Sequence, residues 1–261
     1  MHVIGFIPAR MAATRYPGKP MARILGMPMV EHVYWRSLLA PSIDDAWVCT
    51  CDQEIMDHML SVGGKAVMTS AAHQRASDRM AEAVALVEER TGKQVDLAVL
   101  VQGDEPMVEP EMLDVLVRTA REDGSADVYN LIQAIRTEEE FGSPDTVKVV
   151  LDRSWNALYL SREAIPSRRK HSGPADRWKQ LGLIAFTRQA ILDYARLEPT
   201  PLEIIESVDV NRLLEHGRRL RMIPTGHVTV AVDHPRDLPT VAALMARDPW
   251  VPRYPAPGTA V

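Results

Sequence analysis

Short apolar runs alternate with amphipathic stretches along the first half of the chain. His2–Ile7, Ala46–Thr50, Ala66–Thr69 and Asp96–Val101 read as strands, while Met29–Leu39, Gln53–Val62, Ser77–Glu89 and Glu111–Glu122 carry apolar residues at helical spacing. This alternation predicts βαβ units: an α/β fold of three layers, Rossmann-like, with a mostly parallel sheet and helices on both faces. Crossovers in such a sheet are right-handed, and ligands bind beyond the carboxyl ends of the strands.

The second half has a different texture. Val128–Ile135, Thr146–Leu151, Ala157–Tyr159, Leu181–Thr187, Arg219–Ile223 and Val228–Val232 read as strands with fewer helices between them. Pro199-Thr200-Pro201 opens a helix that is expected to run through His216 and end at Gly217. The polar stretch Ser167–Asp176 reads as a loop, and Met21, Met27 and Met29 are expected to pack around the first helix. The expected organisation is a single domain of residues 1–250 with an antiparallel section inserted over roughly residues 130–190. Residues 251–261 form a tail, and the four prolines of Pro249–Val261 suggest that it lies along the surface.

Composition narrows the possible functions. A chain of 261 residues buries a sizeable core without disulfides or structural metal. Its net charge of −5 argues against a general electrostatic grip on nucleic acid or anionic membrane. No apolar run approaches the ~18 residues a membrane span needs, and the opening MHVIGFIPAR, which lacks a cationic start, reads as a first strand. Cys49 and Cys51, the only cysteines, are too close along a strand for an ordinary disulfide and too few for zinc, which suggests reduced thiols in a cytoplasmic protein. Arginine outnumbers lysine by 24 to 6. That excess reflects either a GC-rich genome or the binding of a polyanionic substrate.

Three loops carry candidate chemistry. The stretch after the first strand, Pro8 to Pro20, supplies Arg10, Arg15 and Lys19, with Gly18 allowing close backbone approach. Its glycine pattern fits neither a dinucleotide fingerprint nor a P-loop, so it reads either as phosphate binding by side-chain cations or as a solvated basic loop. Leu100-Val101-Gln102-Gly103-Asp104-Glu105-Pro106 ends a strand in carboxylates, which suit Mg²⁺ or simply cap a turn. A third run, Val230-Ala231-Val232-Asp233, brings another carboxylate to a strand end, and Asp104 and Asp233 could converge on one metal.

Together, IPARMAATRYPGKPMARILGMPMVEHV, MTSAAHQRASDRMAEAV, LVQGDEP and VDHPRDL resemble the CMP-Kdo synthetases, the 3-deoxy-manno-octulosonate cytidylyltransferases. The likeness runs, with gaps, from residue 3 to about residue 245. It implies a nucleotidyltransferase fold, a homodimer formed through the antiparallel insert, and transfer of CMP from CTP to an acidic acceptor with Mg²⁺ and release of pyrophosphate. It further implies that Arg10, Lys19 and Asp104 are catalytic and that Asp104 and Asp233 hold the metal. Pro8, Ala9, Arg10, Arg15, Lys19, Ser70, His73, Ser77, Arg79 and Gln102 would contact CTP. Such phosphoryl chemistry rests on positioning and charge neutralisation, which suits this set of cations and carboxylates.

Departures cluster on the acceptor side, where Arg75, Gln102, Arg162, Gln180, Ile184, Glu206 and Asp209 are the candidate contacts. Where the resembling enzymes carry H-x-G-x-Y-x-Y-R, this chain has Gln180, Gly182, Ile184, Phe186 and Thr187 at those places. Their Glu-Gln pair is replaced by Asp209-Val210, and the Ser-Gly-Thr before Arg79 has become Arg75-Ala76-Ser77. Losing polar partners for sugar hydroxyls, each worth roughly 1–3 kcal/mol, leads us to expect a smaller and more anionic acceptor, such as a phosphonate, near Arg162, Arg168, Arg169 and Lys170. The alternatives are a genuine CMP-ulosonic acid synthetase, a non-catalytic nucleotide-binding relative, and a glycosyltransferase, although the Asp-x-Asp usual in the last is absent around Asp104.

Overall fold

The structure is a computed structural model and describes residues 1–12, 15–170, 173 and 175–255. Parts of three expected features, the loop Pro8–Pro20, the loop Ser167–Asp176 and the tail 251–261, lie outside the described residues.

The first strand, β1 (Val3–Ala9), is buried along nearly its whole length and lies in the middle of the sheet. After a 3₁₀ turn over Lys19–Met21 and a small hairpin, β2 (Arg23–Ile24) with β3 (Met27–Pro28), the chain enters α1 (Met29–Leu38). There follow β4 (Asp45–Thr50), α2 (Gln53–Ser61), β5 (Ala66–Met68), α3 (Ala76–Thr91), β6 (Leu97–Val101) and α4 (Pro110–Asp123). β4 pairs with one edge of β1 and β6 with the other, both in parallel. The strand order therefore reverses at β1, and the crevice opens where the loops after β1 and β6 diverge.

The later elements extend the same sheet. They are β7 (Val128–Ala134), α5 (Glu138–Gly142), β8 (Lys148–Leu151), β9 (Ala157–Ser161), β10 (Trp178–Thr187), α6 (Arg188–Tyr194), α7 (Pro201–Glu206), α8 (Asn211–Glu215), β11 (Leu220–Pro224) and α9 (Leu238–Met245). The main order is β11-β7-β10-β6-β1-β4-β5, with β10 running against both of its neighbours. Because β7 and β10 belong to the main sheet, only the β8–β9 arm stands off it, a narrower insert than residues 130–190.

Two expected elements are not as the local pattern suggests. The helix from Pro201 is broken: Ser207 adopts a left-handed φ of 53°, and the chain restarts as α8. Val228–Val232 is not a strand; it crosses the site as extended chain, and the Val232 N–H donates to the Asp104 carbonyl over 2.9 Å.

Apolar side chains on the two faces of the sheet form two core layers, one holding Val99, Leu183 and Ala185, the other Leu100, Ile184 and Phe186. A third, smaller core joins Ile24 and Met29 to Val232, Val241 and Met245, with Tyr16 and Val251 packed on it. The described part of the tail, residues 251–255, is anchored through Val251 and Tyr254, while Pro252 and Arg253 are exposed. Fully buried Arg36 donates from Nε to the Tyr254 hydroxyl over 2.9 Å and from Nη1 to the Val108 carbonyl over 3.2 Å, and its Nη2 lies 2.9 Å from Asp248. Cys49 is buried and Cys51 half-buried, both as free thiols.

Candidate active site

Two adjoining cavities open at the carboxyl ends of β1 and β6, and they share Arg15, Gln102, Asp104 and Asp233 as a common wall. The close approach of their loops depends on two glycines. A Cβ on Gly103 would come within 2.8 Å of the Pro8 carbonyl, and one on Gly182 within 2.7 Å of the Gln102 side chain.

The first cavity gathers Pro8, Ala9, Arg10, Arg15 and Lys19 from the loop after β1, with Gln102 and Asp104 facing them from the turn after β6. Lys19 Nζ donates to Asp104 Oδ2 over 2.7 Å and to the Val232 carbonyl over 3.0 Å. Arg15 is forked between two carboxylates: Nη2 stands 2.7 Å from Asp233, and Nη1 donates to Asp145. Arg10 is bound only loosely, by one 3.4 Å bond to Gln74, which leaves most of its donors open to the cavity.

Opposite the cations lies a rim running from Thr69 to Arg75. Buried Arg79 braces it, donating to the Thr69 hydroxyl over 2.6 Å and to the carbonyls of Ser70 and His73. Glu82 accepts the Ser70 N–H over 2.8 Å and lies 2.6 Å from His73 Nε2. His73 and Arg79 thus line the cavity, whereas Ser70 and Ser77 do not. Ser77 is engaged elsewhere: its N–H and hydroxyl both donate to Asp209, capping the start of α3. Arg75 also lines this first cavity, but its guanidinium is tied back to the Ser207 hydroxyl (2.6 Å) and to Glu203.

The second cavity brings Arg162, Lys179 and Gln180 together with Glu105, Asp145, Thr146 and Thr229. Gln180 is aimed by Asn130, whose Oδ1 accepts its amide over 2.8 Å. Glu206 stands behind this cavity and holds Arg162 by its backbone N–H over 2.8 Å, while also accepting from Tyr159 and Ser161. Three expected acceptor contacts therefore fall outside both linings: Glu206 and Asp209 act on neighbouring protein groups, and Ile184 is buried in the second core layer at 1% exposure. Ile184 pairs with Leu100 within the sheet, deeper than the cavity-lining Gln180 and Gly182, and packs in the layer that holds Ile132 and Phe186, so the expectation that it faces the acceptor is not met. Arg168 pairs with Glu138 over 2.9 Å, also away from the cavity.

Sequence reasoning missed Tyr16, Gln74 and Ser207 in the first cavity, and Asp145, Thr146, Lys179 and Thr229 in the second. Glu105 reads with Asp104 as a strand-end carboxylate, and Lys179 adjoins the expected Gln180. Asp145 had no local signal, because only the fold of the arm brings it to Arg15.

The electrostatics of the wall suit a cation. Burial and the nearby Asp104 charge push the Asp233 carboxyl above the usual range, and burial raises Glu105 to about 7. Two mutually repelling carboxylates beside a phosphate-sized cavity match the hard oxygen donors of Mg²⁺, which commonly uses one or two carboxylates plus substrate phosphates. Among the described residues, no group of three His, Cys, Asp or Glu forms a ready-made cage. Nor is any described helix long and apolar enough to cross a membrane.

Comparison with known proteins agrees with this geometry. A family model described as cytidylyltransferase matches residues 4–220. The chain is 38% identical to the 3-deoxy-manno-octulosonate cytidylyltransferase of Geobacter metallireducens, covering 95% of this chain and 99% of that one. Its identity to the enzyme of the same name from Myxococcus xanthus is 43%, over 93% and 96% of the two chains. Among solved structures, it superposes with a TM-score of 0.85 on CMP:2-keto-3-deoxy-manno-octonic acid synthetase complexed with CTP, at 35% identity over 95% of this chain and all of that one. The chain is a nucleotidyltransferase, a member of the cytidylyltransferase family.

Proposed function

We propose that this cytidylyltransferase transfers CMP from CTP to 3-deoxy-manno-octulosonate, or to a closely similar ulosonic acid, and releases pyrophosphate. The observation that carries the acceptor assignment is the mixed lining of the second cavity. Arg162 and Lys179 offer cations for a carboxylate, while Glu105, Asp145, Gln180, Thr146 and Thr229 offer partners for several hydroxyls. A phosphonate is a poor fit, because a dianion would meet Glu105 and Asp145 and leave the hydroxyl-reading groups unmatched. The phosphonate expectation rested on lost polar partners, on an apolar Ile184 and Phe186 and on nearby cations, and both apolar side chains lie in the core. Relatives that carry the 3-deoxy-manno-octulosonate name over nearly their whole length support the same choice.

In this reading the triphosphate lies in the first cavity, and Arg10, Arg15 and Lys19 exchange their present partners for phosphate oxygens. Asp104 and Asp233 would hold Mg²⁺, which supplies further neutralisation of triphosphate charge when bound. Arg79 and Glu82 keep the rim over the nucleotide in shape. Gln102, on the wall between the two cavities, lies where both substrates meet. Arg162 and Lys179 orient the acceptor so that one of its hydroxyl oxygens attacks the α-phosphorus. The P–O bond to the departing pyrophosphate breaks, and the hydroxyl proton leaves to solvent. Little covalent work falls to the protein; orientation and charge balance supply the rate.

The β8–β9 arm exposes Trp155 and Leu158, at 39% and 62%, and we assign this apolar face to a homodimer contact. The chemistry belongs in the cytoplasm, where CTP is available. Pyrophosphate release measured with CTP, Mg²⁺ and either 3-deoxy-manno-octulosonate or a small phosphonate tests the reading. Faster release with the phosphonate would overturn the acceptor assignment. Tight CTP binding without product from any acid would overturn the enzymatic one.

A further inference from the structure

The mechanism above does not use Lys148, although its side chain is fully buried. It lies in β8, paired in register with Ser161 of β9. Its ammonium donates to three backbone carbonyls: Ser143 at 2.8 Å, Thr146 at 2.7 Å, and Arg162. No carboxylate of the described residues forms an ion pair with it, so the carbonyl oxygens alone satisfy its three protons. Burying an ammonium costs stability unless every proton is bonded, and an apolar residue would hold two strands together more cheaply. The arrangement makes sense if the placement of those carbonyls matters.

What they place is the wall of the acceptor cavity. Ser143 and Thr146 bracket Asp145, which takes Arg15, and Thr146 itself lines the cavity. Arg162 is held at its carbonyl by Lys148, at its N–H by Glu206, and at its guanidinium by the Pro144 carbonyl over 2.9 Å. One cation thus links the loop carrying Asp145 to the strand end carrying Arg162.

We propose that Lys148 is a positioning residue for the acceptor: its ammonium fills a three-carbonyl cation site that sets Asp145, Thr146 and Arg162 against the bound sugar acid. The inference rests on the ulosonic-acid reading of that cavity. It concerns a compact cation with three donor directions, a need that the planar fork of arginine does not meet.

The test compares Lys148→Met and Lys148→Ala with the unaltered protein, measuring pyrophosphate release with CTP and 3-deoxy-manno-octulosonate, and CTP binding separately by calorimetry. The acceptor KM should rise at least about tenfold, the scale expected when hydrogen bonds to a charged group are lost, while the Kd for CTP moves less than about twofold. In Lys148→Ala, ammonium or methylammonium should restore much of the acceptor KM, whereas tetramethylammonium at equal ionic strength should not. Should Lys148→Met fail to fold, Lys148→Ala in ammonium salt carries the same test. An unchanged acceptor KM, an equal loss of CTP binding, or no fold in either variant would overturn the proposal while leaving the enzymatic reading intact. If the unaltered protein bound CTP and made no product, the reading itself would fail, and this inference with it.

Discussion

Lys19 and Asp104 face each other across the cleft at 2.7 Å, so a cation from the loop after β1 neutralises a carboxylate from the turn after β6. Arg15 and Asp233 repeat the arrangement at the same distance. In the proposed reading these are the charges that triphosphate and metal would take up, and here they are held by each other. This keeps a cluster of like charges tolerable in a partly buried site and holds both loops near their working positions. On that reading, entry of CTP and metal would let each pair give up a partner and gain one.

Replacing either carboxylate should therefore stop turnover without unfolding the protein. Asp104→Asn and Asp233→Asn are each expected to lower kcat by about a hundredfold or more, the scale of losing one preorganised electrostatic contact in a transition state. Circular dichroism and melting should stay close to those of the unaltered protein. Retention of most activity by either variant would remove that residue from the metal site.

Lys19→Ala separates ground-state from transition-state binding. Charge on the phosphates shifts as the P–O bond breaks, so kcat should fall by about tenfold or more beyond any change in the Kd for CTP. A loss confined to KM would mean that Lys19 only helps CTP to bind.

Ile184 offers a test of how far along β10 the acceptor site reaches. Ile184→Val should cost about 1 kcal/mol of stability by removing a buried methylene, and leave the acceptor KM unchanged within about twofold. A large change in KM with little change in denaturation midpoint would return this side chain to the acceptor.

Buried His32 should make stability depend on pH. Its Nε2 lies 2.8 Å from the Ile24 carbonyl, Tyr254 packs edge-on against its ring, and Glu31, Arg36 and Asp248 surround it. Burial lowers its pKa below the ordinary value of 6.5, with the Arg36 charge acting in the same direction. The folded state therefore binds the proton less readily than the unfolded chain. The associated stability is fully present above 6.5 and is lost as pH falls below it toward the folded value. Melting temperature should drop between pH 7.5 and pH 5, and less steeply for His32→Gln than for the unaltered protein. Parallel pH profiles for the two would sink this account.

Most of the scaffold was legible because short-range pattern and final environment agree. Apart from the small β2–β3 hairpin, which the pattern does not predict, the run from β1 to α4 consists of buried strands and helices with one apolar face, each within two residues of its expected bounds. The cleft loops were legible for a related reason: Arg10, Lys19 and Asp104 lie in the loops that leave the carboxyl ends of buried strands, where the fold class already places ligands. Legibility failed where distant partners decide. Ser207 breaks the helix after Pro201 in a region where Asp209 caps α3 and Arg75 grips the turn, relations spanning more than a hundred residues. The apolar stretch Val228–Val232 looks like a strand, but it bonds to the Asp104 carbonyl and Lys19 rather than to a ladder. Ile184 reads as an exposed substitution in a sugar site only until its pairing with Leu100, inside the sheet, is known.

The third small core gives the cleft a place in time. Asp233 follows directly on Val232, which packs against Ile24 and Met29 from the start of the chain and against Val241 and Met245 near its end. Contacts between such remote segments form late, because the loop they close is long. The loop after β1 and Asp233 are therefore brought together only when the early segment around Ile24 and the late one around Val241 have packed, so the cleft is completed in the last steps of folding.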